Sequence, residues 1–229
     1  MALVAVVQAR YSSQRLPGKV LREVDGRPLL GYLLERLRRC REIAQTVVAT
    51  STDVSDDAVA RYCEAQATRL YRGPLEDVLG RFVEVAESLD ASALVRVSGD
   101  SPLMDPAIVD RAVSLYAAEG ADLVTNVQVR SFPKGQSVEV ISVDALRRAA
   151  SQTDDAEDRE HVTRYFYRHP EQFRIRNFKR EGDAADIQLS VDTPADFQMF
   201  EQIVAAMERP PAEYGLDEIL ALRERCLRS

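Results

Sequence analysis

A short basic segment near the amino terminus holds the residues best suited to chemistry. Arg10, Arg15 and Lys19 place three cations within ten residues, and small residues such as Ser13 and Gly18 lie between them. A polyphosphate requires such fixed positive charge, together with backbone N–H donors and close approach of the backbone. The segment therefore predicts a phosphate-binding loop. The alternative is a solvated basic connection that binds no ligand.

The position of this segment favours the phosphate-binding interpretation. It follows Leu3–Val7, an apolar and β-branched run that predicts a strand buried on both faces of a parallel sheet. In open α/β sheets, ligands bind at the carboxyl ends of the strands. The chain contains neither the GxxxxGK motif of P-loop proteins nor the GxGxxG dinucleotide motif. ATPase and dinucleotide-binding functions therefore lose their main support.

Two aspartates follow predicted buried strands elsewhere in the chain. Asp100 comes after Ala93–Val97, and Asp192 comes directly after Ile187–Val191. If these strands neighbour the first strand, both carboxylates face the basic segment across one crevice. Carboxylates repel a polyphosphate unless a hard cation lies between them, and Mg²⁺ is held by one or two carboxylates plus phosphate oxygens. The pair therefore predicts a Mg²⁺ site, with simple Asp-x-Pro turns or helix caps as the alternative.

Several segments together resemble one family, the sugar-acid cytidylyltransferases, which includes the deoxy-octulosonate and acylneuraminate cytidylyltransferases. The most similar branch is that of the spore-coat polysaccharide biosynthesis protein F. The segments that carry the resemblance are Arg10–Lys19, Asp25–Leu29, Asp77–Phe82, Gly99–Leu103, Val138–Val140, Arg159–Thr163 and Val191–Asp196. The resemblance extends from residue 3 to about residue 207.

The resemblance implies an α/β, Rossmann-like fold with a mostly parallel sheet of the nucleotide-diphospho-sugar transferase type. It also implies CTP and a small acidic sugar as substrates, Mg²⁺ as cofactor, and a homodimer. The implied roles are nucleotide binding by Ala9, Arg10, Ser13, Arg15, Lys19 and Arg81, sugar-acid binding by Glu139 and His161, metal binding by Asp100 and Asp192, and catalysis by Arg15, Lys19 and Asp100. For Arg81 and Glu139 a solvated helix or strand charge is the alternative, and for His161 an ordinary surface or core residue.

The expected reaction is nucleotidyl transfer in surface polysaccharide biosynthesis. The anomeric hydroxyl of an acidic sugar attacks the α-phosphorus of CTP and expels pyrophosphate. The loop cations would neutralise the phosphates, and Mg²⁺ on Asp100, with Asp192 holding the same or a second ion, would stabilise charge on the reacting oxygens. The sequence identifies no general base. Two alternatives stay open: an enzyme of the same fold that uses another nucleotide or a nucleotide-sugar donor, and a non-catalytic nucleotide-binding protein.

Strands and helices alternate over the first half of the chain, which predicts a doubly wound parallel sheet. From about residue 125 the pattern becomes typical of antiparallel strands, at 126–130 and 137–142, and a helix is predicted at 157–168. The chain is interpreted as one nucleotidyltransferase domain over residues 1–229. Residues 125–180 are predicted to form an inserted antiparallel and helical lid, on the acceptor side and at the dimer contact.

The formal net charge of the 229-residue chain is −7, and it is unevenly distributed. Residues 1–41 carry +6, whereas residues 42–229 carry −13. Cations concentrated around one loop of an acidic protein favour a small anionic ligand over nucleic acid, which requires an extended basic face. The three cysteines are dispersed, and no signal-peptide pattern or apolar run of about 20 residues is present. These features predict a cytoplasmic protein without a membrane span.

Overall fold

The computed structural model describes residues 3–13 and 15–228, so Gln14 of the basic segment lies outside the described residues. The strands are β1 (Leu3–Gln8), β2 (Glu23–Val24), β3 (Arg27–Pro28), β4 (Gln45–Ser51), β5 (Arg69–Gly73), β6 (Ala93–Ser98), β7 (Leu123–Thr125), β8 (Glu139–Ser142) and β9 (Ile175–Asn177). The helices are α1 (Leu29–Leu37), α2 (Asp57–Ala65), α3 (Val78–Ser88), α4 (Pro106–Glu119), α5 (Val143–Gln152), α6 (Ala156–Glu160), α7 (Arg164–Arg168), α8 (Pro194–Ala205) and α9 (Leu216–Arg228). Short 3₁₀ turns cover Lys19–Leu21, Val54–Asp56 and Pro211–Glu213.

Seven of these strands form one sheet, in the order β5-β4-β1-β6-β8-β7-β9. β1 pairs in parallel with β4 and β6, and β4 pairs in parallel with β5. β8 runs antiparallel to both β6 and β7. The sheet is therefore mostly parallel, which confirms the fold class predicted from the sequence. Because β5, β4, β1 and β6 run the same way, the loops that follow them meet at one edge, called the carboxyl edge below.

Alternating strand residues pack into two core layers on opposite faces of the sheet. In β6, Val95 and Val97 pack in a layer with α1, α4, α8 and α9, whereas Leu94 packs in a layer with α3 and α5. Successive side chains of a strand point to opposite faces, so Arg96 lies on the face of α3 and α5. The same alternation places Gln8 of β1 and Glu139 of β8 on that face. Three polar side chains on neighbouring strands are thereby brought side by side.

Two strands predicted for the second half of the chain are wrong. Residues 126–130 form turns, and residues 187–191 join no named strand, although one isolated bridge pairs Lys134 with Gln188. Backbone N–H groups of the second segment donate instead to the carbonyl oxygens of Lys134 and Asp100, which lie in loops. The apolar pattern at 187–191 therefore reflects burial against the core and not membership of the sheet.

The helix predicted over 157–168 is two short helices, α6 and α7, interrupted at His161–Thr163. The surrounding segment 125–180 is more than a peripheral lid, because it supplies β8 between β6 and β7 and also β9 at the end of the sheet. Its role on the acceptor side and in a dimer contact stays a prediction. Among the helices of the described residues, none is both long and apolar enough to cross a membrane.

Candidate active site

Four charged side chains meet at the carboxyl edge, and they are called the open cluster here. Lys19 Nζ lies 3.0 Å from Asp100 Oδ2 and 2.8 Å from Asp192 Oδ1. Arg15 Nη2 lies 3.0 Å from the same Asp192 oxygen. The Lys19 side chain is 11% exposed, and those of the two aspartates are 22% and 24% exposed. The structure therefore brings together two loop cations and both predicted metal-binding carboxylates, with every member within reach of solvent.

Backbone hydrogen bonds hold the two aspartates beside each other. Val191 N donates to Asp100 O at 2.8 Å, so the segment before Asp192 is fastened to the loop that follows β6. Thr193 caps α8, and Asp196 of that helix accepts a hydrogen bond from Asp192 N at 3.1 Å. The two carboxylates are therefore positioned by main-chain contacts as well as by their ion pairs.

Gly18 shapes the turn that presents Lys19. Its φ is +68°, in the left-handed region, and a Cβ built on it would lie 2.9 Å from a ring carbon of Tyr11. Both the dihedral angle and the close aromatic ring favour glycine, since it lacks a Cβ. A larger residue at this position would displace either the Tyr11 ring or the lysine that follows.

The basic segment uses several of its own backbone N–H groups internally. Ser13 N and Gly18 N both donate to Tyr11 O at 2.9 Å, and Lys19 N donates to Leu16 O at 3.1 Å. The N–H groups of Ser13 and Gly18 are therefore not free to donate to phosphate oxygens, which corrects the expectation that they are available as backbone donors. Positive side chains, more than backbone donors, are the groups that this loop presents to an anion.

Asp56 fixes the start of the same segment and was missed by sequence reasoning. Its fully buried carboxylate accepts hydrogen bonds from Tyr11 N at 2.6 Å, from Ser51 N at 3.0 Å and from Ser51 Oγ. Ala9, which precedes the segment, is buried, and its N–H donates to Ala49 O at 3.2 Å. The only sequence signal was an aspartate after a strand, which is equally typical of a helix cap.

Arg10 points away from the open cluster and pairs with a residue of α6. Its Nη2 lies 2.5 Å from Glu160 Oε1, and both side chains are partly exposed. The neighbouring residue of the same helix, Arg159, places its Nη1 3.3 Å from Asp77 Oδ2 at the start of α3. Two ion pairs therefore hold α6 against the basic segment and α3.

Arg81 is fully buried, which excludes the alternative of a solvated helix charge. Its Nη2 donates to Leu75 O at 3.1 Å, while its Nε and Nη1 have no hydrogen-bond partner within the part of the chain that is described. Burial lowers the pKa of the guanidinium, and the nearby positive charge of Arg10 lowers it further. Buried donors without partners are costly, so Arg81 is an incompletely satisfied cation in the interior, beside Gly73.

A second charged group lies on the face of α3 and α5, and it is called the closed cluster here. Arg96 Nη1 lies 2.5 Å from Glu139 Oε2, and Arg96 Nη2 donates to Gln8 Oε1 at 3.2 Å. The Tyr167 hydroxyl donates to Glu139 Oε1 and lies 2.8 Å from Thr125 Oγ1. Burial, followed by the Glu139 charge, raises the pKa of Tyr167, so the phenol stays protonated. Glu139 is thus placed as a partner of Arg96, and a direct contact with a sugar acid stays a prediction that its burial disfavours.

His161 lies at the C-terminal end of α6, next to Glu160, and more than half of its side chain is exposed. Its Nε2 is 3.7 Å from Glu157 Oε2, one turn earlier in the helix. The structure places it in neither cluster. A substrate-binding role for His161 therefore stays a prediction.

Buried side chains also hold the loop that carries Asp100, and no motif or spacing pointed to them. Gln136 donates through Nε2 to Leu103 O at 2.7 Å and accepts from Asp105 N at 2.8 Å. Arg36 donates through Nε to Met104 O at 2.6 Å. The remaining donors of Arg36 reach the carbonyl oxygens of Pro211 and Tyr214. The segment before α9 and the loop of Asp100 are therefore joined through one buried guanidinium.

The open cluster has a donor set that fits Mg²⁺. Asp100 and Asp192 both contact the Lys19 ammonium, so a cation already lies between the two carboxylates. Mg²⁺ commonly takes one or two protein carboxylates and completes its shell with water and phosphate oxygens. Over residues 3–13 and 15–228, no group of three or more His, Cys, Asp or Glu side chains could hold a metal ion. The geometry therefore suits a cation shared with a phosphate ligand.

The Asp192 carboxyl is partly buried, but the neighbouring cations favour its ionised form and so lower its pKa. Partial burial opposes its ionisation, but the hydrogen bond and charge of Lys19, followed by the charge of Arg15, outweigh this. The net effect lowers the pKa of Asp192 below its ordinary value. The carboxylate is therefore ionised at neutral pH and available to a cation.

A mostly parallel sheet with cations and paired carboxylates at its carboxyl edge defines an α/β nucleotidyltransferase-like protein, and solved structures share the fold. A cytidylyltransferase from Leptospira borgpetersenii matches with a TM-score of 0.94 and 25% identity, over 100% of this chain and 96% of that one. CMP:2-keto-3-deoxy-manno-octonic acid synthetase, solved with CTP, matches with a TM-score of 0.70 and 20% identity, over 90% of this chain and 99% of that one.

The family follows from the sequence comparisons. A family model described as cytidylyltransferase matches residues 4–226. The spore coat polysaccharide biosynthesis protein SpsF of Bacillus subtilis is 32% identical over 232 residues, which cover 97% of this chain and 94% of that protein. The 3-deoxy-manno-octulosonate cytidylyltransferase of Geobacter metallireducens is 34% identical over 123 residues, 53% of this chain and 47% of that protein. The chain belongs to the cytidylyltransferase family, and the resemblance found in the sequence is confirmed.

Proposed function

We propose that the protein transfers CMP from CTP to an acidic sugar and releases pyrophosphate, as a step in surface polysaccharide biosynthesis. Membership of the cytidylyltransferase family supports the reaction class. A relative named as a 3-deoxy-manno-octulosonate cytidylyltransferase supports an acidic sugar as acceptor, and a relative named for spore coat polysaccharide biosynthesis supports the pathway. The observation that carries the proposal is the contact of Lys19 with both Asp100 and Asp192, beside Arg15.

The cations of the open cluster act on the phosphates. Lys19 and Arg15 lie where negative charge gathers as the bond between the α-phosphorus and the bridging oxygen breaks. They neutralise the triphosphate in the ground state and the departing pyrophosphate in the transition state. Charges fixed before the reaction stabilise a transition state without reorganising, which is why such groups contribute strongly to rate.

Asp100 and Asp192 would hold Mg²⁺ when the nucleotide is bound. Bound there, the ion supplies positive charge to the phosphate oxygens. For this, Lys19 must give up at least one of its carboxylate contacts and turn to a phosphate oxygen. The exchange is feasible because all three side chains are partly open to solvent.

Arg81 and Arg10 support a nucleotide site on the β5-β4-β1 side of the sheet. Arg81 packs against Gly73 at the end of β5, where a Cβ on that glycine would lie 2.7 Å from the Arg81 side chain. Its two unpartnered donors are buried, so a base or a ribose hydroxyl would have to displace the residues that cover them in order to accept from Arg81. The acceptor then lies on the other side of the phosphates, toward β6 and β8.

The test is release of pyrophosphate. Purified protein is incubated with CTP, Mg²⁺ and either 3-deoxy-manno-octulosonate or N-acetylneuraminate, and pyrophosphate is measured against reactions that lack the sugar or contain EDTA. Turnover that requires both sugar and Mg²⁺ is expected. Thermal-shift measurements with CTP, UTP, GTP and ATP identify the preferred nucleotide, because a bound ligand raises stability in proportion to ln(1 + [L]/Kd).

Two results would contradict this proposal. Stabilisation by UTP or another nucleotide, with none by CTP, would favour an enzyme of the same fold that uses a different nucleotide. Stabilisation by CTP without turnover of either acid, together with unchanged CTP binding in Asp100→Asn, would favour a non-catalytic nucleotide-binding protein. A homodimer stays a prediction, and sedimentation of the same preparations tests it.

A further inference from the structure

In the closed cluster, only the cation of the ion pair reaches the surface. The Arg96 side chain is 24% exposed, whereas that of Glu139 is 3% exposed. Both carboxylate oxygens of Glu139 are occupied, one by Arg96 and the other by the Tyr167 hydroxyl. A ligand that approaches this cluster therefore meets a guanidinium, and the carboxylate behind it has no free oxygen to offer.

The guanidinium is held in place from two sides. Glu139 of β8 accepts from Nη1 at 2.5 Å, and Gln8 of β1 accepts from Nη2 at 3.2 Å. Tyr167 and Thr125 fix Glu139 in turn. A cation fixed in this way loses little conformational entropy when it binds a ligand. The arrangement is that of a preformed recognition group and not of a mobile surface arginine.

Arg96 also has donors to spare. A guanidinium carries five N–H groups, and the two hydrogen bonds to Glu139 and Gln8 use only two of them. The Nε of Arg96 is buried and has no partner among the described residues. Because Nε is buried, the donors left for a ligand are the remaining N–H groups of Nη1 and Nη2, on a side chain that is 24% exposed. Because the ion pair with Glu139 is formally neutral, the attraction for an anion comes from these oriented N–H groups, whose planar geometry matches the two oxygens of a carboxylate.

The position of Arg96 fits the acceptor. β6 lies beside β1 in the sheet and continues through Ser98 to the loop of Asp100. Gln8, which contacts Arg96, ends β1 and precedes the basic segment. Arg81 packs against β5, on the opposite side of β1. A nucleotide that spans Arg81 and the open cluster therefore leaves Arg96 beside the far side of the phosphates, where an acceptor must enter.

We infer that Arg96 binds the carboxylate of the acidic acceptor, and that Glu139 and Tyr167 are positioning residues for its guanidinium. The inference rests on the proposed function, since it names the residue that recognises the acid group of that substrate. It replaces a direct contact between Glu139 and the sugar with a contact through Arg96. A purely structural ion pair between Arg96 and Glu139 is the competing account.

Wild-type kinetics test the inference before any substitution is made. Whichever of 3-deoxy-manno-octulosonate and N-acetylneuraminate is turned over is compared with its methyl ester, which lacks the negative charge. We expect the KM of the ester to exceed that of the acid by about 10- to 100-fold, as for the loss of a hydrogen-bonded charged pair. The KM for CTP should be the same with both acceptors. Equal KM values for acid and ester would overturn the inference.

Two variants then separate Arg96 from Glu139. The double variant Arg96→Gln/Glu139→Gln removes both charges together, so that no buried charge is left unpaired, and it should lose the preference for acid over ester. Glu139→Gln alone keeps a side-chain oxygen that can accept from Arg96 Nη1, so the guanidinium stays positioned and the variant should keep that preference. If Glu139 itself contacted the sugar, the single variant would lose the preference instead. Either a double variant that keeps the preference or a single variant that loses it contradicts the inference.

A matched control is the exposed ion pair between Arg147 and Glu87. Arg147→Gln/Glu87→Gln makes the same chemical changes far from the carboxyl edge and should leave every KM unchanged. Thermal unfolding of all variants shows whether they are folded, and the acid-to-ester ratio within each variant is independent of the amount of folded protein. If the wild-type protein turns over neither acid, the proposed function has failed. If it turns over an acid but the ratio does not depend on Arg96, only this inference has failed.

Discussion

The open and closed clusters both lie at β1 and β6, yet they hold their charges in different ways. In the open cluster, Lys19, Asp100 and Asp192 are all partly exposed, and one ammonium is shared by two carboxylates. In the closed cluster, Glu139 is buried and has a separate partner for each oxygen. The first arrangement lets a ligand exchange for an existing contact, whereas the second keeps its internal contacts and adds the ligand to them.

This difference predicts whether the loss of a contact lowers mainly the stability of the fold or mainly the activity. In the open cluster, loss of one carboxylate leaves Lys19 paired with the other, so we expect a small cost in stability and a large cost in activity. Breaking a buried pair leaves one charge without compensation and destabilises the fold. Substitutions in the two clusters should therefore separate catalysis from stability.

The largest effect is expected for Asp100→Asn. The substitution preserves shape but removes one of the two charges that would hold the metal ion, and turnover should fall by about two to three orders of magnitude. The melting temperature should stay within about 4 °C of the wild type, since Lys19 keeps its contact with Asp192 and the loss of one of its two charged partners costs about 1 kcal/mol. Steady-state pyrophosphate release and calorimetry on the same samples measure both quantities.

Asp144→Asn, at an exposed residue of α5, is the matched control and should change neither rate nor stability. Binding of Mn²⁺, followed by electron paramagnetic resonance in the presence of CTP, gives a readout besides activity and should weaken in Asp100→Asn only. Near-normal turnover in that variant would remove the metal assignment and, with it, the contrast between the clusters.

A large cost in stability is expected in the closed cluster for Arg96→Met, in addition to any effect on binding of the acceptor. Glu139 then keeps its charge in a buried position with only the Tyr167 hydroxyl as partner. We expect a loss of about 3 kcal/mol in the free energy of unfolding, the lower end for a broken buried pair because Arg96 is partly exposed. Urea denaturation measures the loss, and adding Glu139→Gln to the same chain should recover most of it. An unchanged unfolding free energy in Arg96→Met would show that this pair is not structurally coupled.

The open cluster could be foreseen from the sequence because its members lie at chain positions with strong local signals. Lys19 follows a Pro-Gly turn, and Asp100 follows a buried strand whose carboxyl end has a predictable place in a parallel sheet. Asp192 was assigned correctly to the same edge for a partly wrong reason, since no strand precedes it. Backbone contacts between Val191 and Asp100 bring it there.

The closed cluster could not be predicted, because the burial and pairing of its residues depend on which strands are neighbours. Glu139 in an alternating pattern reads as a solvated strand residue. Only the insertion of β8 between β6 and β7 buries it and places it opposite Arg96. Similarly, Arg81 has the sequence pattern of an exposed helix charge, although packing against β5 buries it completely. Contacts between residues distant in the sequence bury both Glu139 and Arg81, and the local periodicity of the sequence carries no information about such contacts.

A third buried charge, Asp158 of α6, extends the comparison away from the sheet. Its carboxylate accepts hydrogen bonds from Thr153, Arg164 and Arg168. Burial opposes its ionisation, but the hydrogen bonds of Arg164, Thr153 and Arg168 outweigh this and lower the pKa of Asp158 below its ordinary value of 3.8. Asp158→Asn should therefore cost about 1 to 2 kcal/mol of stability at pH 7, as for loss of hydrogen bonds to a charged group.

The pH dependence of that cost has a definite sign. A carboxyl whose pKa is lowered by folding stabilises the protein above about pH 4, and the stabilisation is lost as the pH falls through the folded-state value. The difference in melting temperature between the wild type and Asp158→Asn should be constant from pH 7 to about pH 5 and shrink below about pH 4. A difference that grows on acidification would contradict the assignment.

The smallest effect is expected at the contact between α6 and the basic segment. Arg10 is paired with Glu160, so a triphosphate that uses Arg10 must compete with that carboxylate. Glu160→Gln should therefore tighten CTP binding by about 1.4- to fivefold, which corresponds to the 0.2 to 1 kcal/mol of a partly exposed pair. Isothermal titration with CTP measures the change, and it should diminish in 0.5 M salt, since screening weakens exposed charges.

Glu157→Gln, which removes an exposed charge one turn earlier in the same helix, is the control for a general electrostatic effect. Equal tightening in both variants would mean that α6 acts only through its net charge, whereas weaker CTP binding in Glu160→Gln alone would mean that Glu160 holds Arg10 in its binding position.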